Sequence, residues 1–98
     1  MVLSKRQEKY LRTLAHEKKP IIWLGQHGLT DQVLSEIENA LKHHELIKIK
    51  VRVGEREERD RIISEICRQT SSENVQKIGN TVTLFRRNME KPRIPLPA

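Results

Sequence analysis

The sequence predicts an α/β domain, in the order helix, strand, helix, strand, helix, strand, strand, with helices packed on a four-stranded mixed sheet. Three observations carry that prediction. Segments of helical spacing alternate with short apolar runs through the first two thirds of the chain. "LIKIKVRV" sets Ile47, Ile49, Val51 and Val53 on one side and Lys48, Lys50 and Arg52 on the other, the period of a strand with one buried face. "NVQKIGNTVTLF" holds two strand-like runs about Gly79-Asn80, a hairpin turn in which glycine supplies a positive φ. Right-handed crossovers make the first three strands parallel and the fourth antiparallel.

Each element has its own local cause. "SKRQ" at Ser4 to Gln7 is a capping box, and Tyr10, Leu11, Leu14 and Ala15 form an apolar stripe, so helix 1 is expected from about Lys5 to Glu17. Pro20 stops it, and "IIWL" before Gly25 reads as a buried strand. Thr30 is a suitable N-cap for helix 2, with Leu29 and Leu34 as a hydrophobic staple and Val33, Leu34, Ile37, Ala40 and Leu41 on its apolar face. That helix is expected to reach His44, its last turn holding Lys42, His43 and His44 against the helix dipole. After strand 2 and Gly54, helix 3 runs to about Gln69 on Ile62, Ile63, Ile66 and Cys67. The segment 87–98 is rich in proline and has no period, so it is expected to be a basic tail, extended or disordered, behind a domain of residues 1–86.

Composition narrows the function. At 98 residues the chain has room for one core, and 36% hydrophobic against 33% charged residues suits a small globular domain with much solvated surface. The net charge of +6 favours a polyanionic partner. The excess sits at the ends, because 55–70 carries five acids against four bases. Cys67 is the single cysteine, which excludes an intrachain disulfide and fits a reducing compartment. No apolar segment reaches the length of a membrane span or a signal h-region, so a cytoplasmic protein without a membrane partner is expected.

The stretch "WLGQHGLTD" raises the chemical question. Two glycines bracket Gln26 and His27 just before a helix, where backbone amides carry partial positive charge and can hold a phosphate. A plain reversal of direction explains the same spacing equally well. The loop lacks the G-K-[ST] ending of a Walker A motif and the third glycine of a dinucleotide fingerprint. Basic residues that can flank it are Lys5, Arg6, Lys9 and Arg12 on helix 1, then Lys18 and Lys19. Lys48, Lys50 and Arg52 on strand 2 either track phosphates or form a solvated face. Arg86 and Arg87 follow the last strand.

Other chemistries find little support. His16, His43, His44 and Cys67 lack metal-ligand spacing, and no nucleophile or acid–base motif stands out. No cofactor, metal or small-molecule substrate is therefore expected. Aromatic residues are only 3%, so stacking on bases is a minor theme. Trp23, Tyr10 and Phe85 are all expected in the core, and Phe85, which shares a strand face with Thr81 and Thr83, is the best placed of the three for exposure.

In this order "LAH", "P", "GxxGLT", "HELIK" and "IGNTVTLFR", within 11–51 and 75–86, resemble the CRM domain (chloroplast RNA splicing and ribosome maturation), particularly its stand-alone bacterial YhbY type. The resemblance implies a fold similar to the C-terminal domain of translation initiation factor three. It also implies RNA binding, with Gly25, Gln26, His27 and Gly28 compared to the G-x-x-G loop of KH domains, and association with precursors of the large ribosomal subunit. Family members often place Lys or Arg between the glycines, where this chain has Gln26 and His27. The usual Tyr before the closing Arg is Phe85 here.

The expectation is a monomeric, non-enzymatic protein that binds ribosomal RNA or large-subunit precursors through the glycine loop and the surrounding cations. Two rivals stand beside it: an adaptor for an acidic protein surface on the ribosome, and a nucleic-acid-modifying enzyme.

Overall fold

The first helix starts as a reciprocal cap. The Ser4 hydroxyl accepts from the Gln7 backbone N–H at 3.1 Å, and the Gln7 side chain accepts from the Ser4 N–H at 3.0 Å. In the computed structural model, which describes residues 2–98, helix α1 then runs Lys5–Ala15. It is followed by β1 (Ile22–Leu24), α2 (Asp31–His44), β2 (Leu46–Val51), α3 (Arg56–Thr70), β3 (Glu73–Ile78) and β4 (Thr81–Phe85).

The four strands form one sheet in the order β1-β2-β4-β3. β1 pairs parallel with β2, and β4 lies antiparallel between β2 and β3. The directions are those predicted by right-handed crossovers. Gly79 turns the hairpin with φ of +60°, the conformation that makes glycine the fitting first residue of a two-residue turn.

The sheet faces are covered unequally. On one, Ile22, Leu24, Ile47, Ile49, Val51, Val82 and Leu84 pack with Ile37 and Leu41 of α2 and Ile63 and Ile66 of α3. On the other, Leu11 and Ala15 of α1 pack with Leu46, Val75 and Phe85. α1 covers only the end of the sheet where β2 begins and β4 ends. Beyond it, Trp23 and Ile21 at one edge and Ile78 at the other stay exposed.

Residues 87–98 contain no helix or strand, yet they pack. Ile94 and Leu96 lie against the α1 cluster, and Gln7 Nε2 donates to the Pro97 carbonyl at 3.1 Å. The anchor is Glu45, fully buried at the end of α2. Its carboxylate accepts the backbone N–H groups of Asn88, Arg93 and Ile94, each at 2.7 Å. Glu45 adopts φ of +62°, a conformation that costs a non-glycine residue about 1–3 kcal/mol. The three charge-assisted bonds offset that strain.

Candidate nucleic-acid interface

The glycine loop is a closed turn. The Gly28 N–H donates to the Gly25 carbonyl at 3.0 Å, and Gly28 takes φ of +67°, while Gln26 and His27 point into solvent as exposed residues. The loop does not abut the helix directly, because Leu29 and Thr30 intervene, and Leu29 packs on the main core. The Thr30 hydroxyl accepts from the Val33 N–H at 3.2 Å, and Asp31 occupies the first turn of α2. The helix end thus has the hydroxyl cap expected at Thr30 and a carboxylate in its first turn, and the glycine turn lies two residues ahead of it.

The predicted cations fall into separate places. Lys5, Arg6 and Lys9 are exposed on α1, and Arg12 pairs with Glu8 across one helical turn at 3.8 Å. Lys18 and Lys19, with His44 and Lys48, surround a groove of about 210 Å³ whose floor includes Ile21 and Leu46. Lys48 and Lys50 are half-buried on the sheet face that α1 shares, and Arg52 is exposed just past β2.

The loop and α1 do not flank one another as expected. α1 sits over Leu46, at the start of β2, whereas the loop follows Leu24, which pairs with Val51 at the end of β2. At about 3.3 Å per residue, the six residues of β2 set these ends roughly 17 Å apart. The uncovered part of the sheet lies between them.

Arg86 is committed within the fold. Its guanidinium donates to the Glu38 carboxylate at 2.8 Å and to the Thr70 carbonyl at 2.9 Å, tying the end of β4 to α2 and α3. Arg87 is half-buried beside it, in a groove shared with Lys42 and Asn88.

Of the three aromatic residues expected in the core, Phe85 lies there and Trp23 does not. Phe85 is fully buried, because α1 closes over its end of the strand, and Trp23 is 56% exposed, because nothing covers the same face at the β1 edge. Tyr10 is half-buried. The alternation of a strand assigns a side chain to a face but not to the covered part of that face.

Two residues that bear no RNA-type chemistry also acquire definite surroundings. Burial pushes the Cys67 thiol above its ordinary range, although the Ser72 hydroxyl partly opposes this. A hydrogen bond from Lys77 holds the Asp60 carboxyl below its usual range and links β3 to α3. Among the described residues, no group of three or more His, Cys, Asp or Glu is placed to hold a metal ion, and no helix is long and apolar enough to cross a membrane.

The CRS1 / YhbY (CRM) domain family matches residues 3–86, nearly the whole chain. The chain belongs to that family. A CRM-domain relative from Haemophilus influenzae, named "RNA-binding protein", is 48% identical over 95 residues, which is 97% of this chain and 95% of the relative. A Pseudomonas aeruginosa protein named "Probable RNA-binding protein" is 40% identical over 88 residues, covering 90% and 85% of the two chains. The fold is also that of a hypothetical protein from Staphylococcus aureus, described with its solution structure as a candidate RNA binder. The TM-score is 0.82 at 32% identity, over 98% of this chain and all of that one.

Proposed function

We propose that this CRM domain is a non-enzymatic RNA-binding protein that associates with ribosomal RNA in precursors of the large subunit. The observation that carries this reading is the sidedness of its charge. α1, Lys18 and Lys19, and the Lys48 and Lys50 row lie on the side of the sheet that α1 occupies, and the tail, which carries Lys91 and Arg93, docks there through Ile94 and Leu96. The first turns of α3, where Glu57, Glu58 and Asp60 alternate with Arg56, Arg59 and Arg61, belong to the opposite side. The α1 side thus gathers cations with few acids among them, which suits a polyanion of fixed shape.

Mechanistically, α1 and the groove at Lys18 and Lys19 hold phosphates at one end of the sheet. The Gly25–Gly28 turn makes a neutral backbone contact at the other, with Gln26 and His27 as its side chains. Binding of this kind reads the shape of folded RNA more than its sequence.

The test is binding of the purified protein to large-subunit ribosomal RNA fragments and to an unrelated duplex across a salt series. Salt-dependent binding with preference for particular fragments is the expected result. Equal binding to all would reduce the surface to a general polyanion binder, and no binding would favour the protein-adaptor reading. Gly25→Asp probes the turn: Gly25 has no positive φ and a side chain there meets nothing within 4 Å, so the variant folds. A loss of affinity is expected, and unchanged affinity removes the turn from the interface.

A further inference from the structure

We propose that the uncovered half of the sheet is a binding site for an unpaired RNA segment, with one base stacked on Trp23 and the adjoining phosphates on Lys48 and Lys50. The proposal rests on the RNA-binding reading above and adds to it the form of RNA this surface takes.

The register builds the site. Trp23 pairs with Lys50, Lys50 with Thr81, and Thr81 with Ile78, so one row across the sheet runs aromatic, cation, hydroxyl, aliphatic. One step along the same face, Ile21 donates its N–H to the Lys48 carbonyl, and Lys48 pairs with Thr83. Trp23, Ile21 and Ile78 are 56%, 46% and 67% exposed. Single exposed apolar residues are ordinary, but three on one sheet face with two lysines between them form a platform with charge at its centre.

The charge pattern selects the occupant. β1, β2 and β4 contain no acidic residue, and Glu73 of β3 pairs with Phe85 at the end that α1 covers. A second copy of the chain placed face to face would set Lys48 and Lys50 against their own counterparts, which is repulsive. An unpaired strand fits instead, because its splayed bases offer π-faces to an indole while its backbone offers phosphates to ammonium groups. A duplex, whose bases are stacked inside, gives Trp23 nothing to stack on.

Trp23 is the sole tryptophan, so its emission reports this one spot. Titration with an unstructured oligoribonucleotide of about ten nucleotides should quench that emission, and a perfectly paired duplex should bind with little quenching. By anisotropy of labelled RNA, Trp23→Ala should weaken single-strand binding roughly ten- to a hundredfold and duplex binding less than about twofold, with Trp23→Phe recovering most of the loss. Because Trp23 is exposed, circular dichroism of both variants should match the parent. Binding of both RNAs without quenching, and with Trp23→Ala equal to the parent, would overturn the site while leaving RNA binding in place. Absence of binding to either RNA would overturn both readings.

Discussion

Glu45 shows how much one side chain decides in a small domain. It sits at a backbone conformation that disfavours it, is fully buried, and spends its carboxylate on three amides of a segment that has no secondary structure of its own. Glu45→Ala should therefore lower stability by about 2–4 kcal/mol, measured by denaturant unfolding. It should also abolish protection of the Arg93 and Ile94 amides against hydrogen exchange. Retention of that protection would mean that Ile94 and Leu96 hold the tail unaided. Cys67 makes a second point at this scale. Its thiol is half-buried and raised by burial, so less of it is thiolate at neutral pH than in a free cysteine. Alkylation at neutral pH should be at least about tenfold slower than that of a model thiol and should reach the model rate on unfolding.

The separation of roles between helices is visible at the level of elements. α2 and α3 bury the apolar residues of one sheet face, with Thr30 capping α2 and Arg86 bridging to Glu38 and Thr70. α1 covers only part of the other face, which leaves its outer cations and the bare strands on one continuous side. Replacing Lys5, Arg6 and Lys9 together by Ala should leave the fold intact, since all three are exposed, and should reduce the salt slope of RNA binding by about two to three units. An unchanged slope would place α1 outside the interface. Arg86→Ala has a different signature: lost stability of about 1–2 kcal/mol with little change in slope, because its charge is already used inside the fold.

At the scale of the whole molecule, the tail docks on the domain through Glu45, Ile94 and Leu96. Truncation after Arg87 removes the amides that satisfy Glu45 and the apolar contacts of Ile94 and Leu96. Its cost and that of Glu45→Ala should fall well short of additive when combined, because both remove the same docking. Additive costs would show that Glu45 stabilises something other than the tail. The same scale governs charge: segments far apart in sequence become one basic side only because the sheet separates α1 and the tail from α3.

Local chemistry was written plainly enough in the sequence to give the element order, the Ser4 and Thr30 caps, the hairpin about Gly79, strand directions and the faces of β2. Apart from the strand directions, which follow from crossover handedness, each depends on spacing and turn residues within about ten positions of one another. The ordered motifs carried the family as well. The sequence left open how far each sheet face is covered, and there Trp23, expected in the core, lies exposed, since alternation is periodic along a strand while coverage depends on where a distant helix docks. It could not separate Arg86 from Arg87 either, because Glu38 lies 48 residues away from the first of them. Nor did it mark Glu45, whose partners arrive from 43 to 49 residues further on. Spacing alone determined the elements; tertiary packing decided which cations stay available and which half of the sheet lies open, because burial is a property of the assembled surface and not of any one segment.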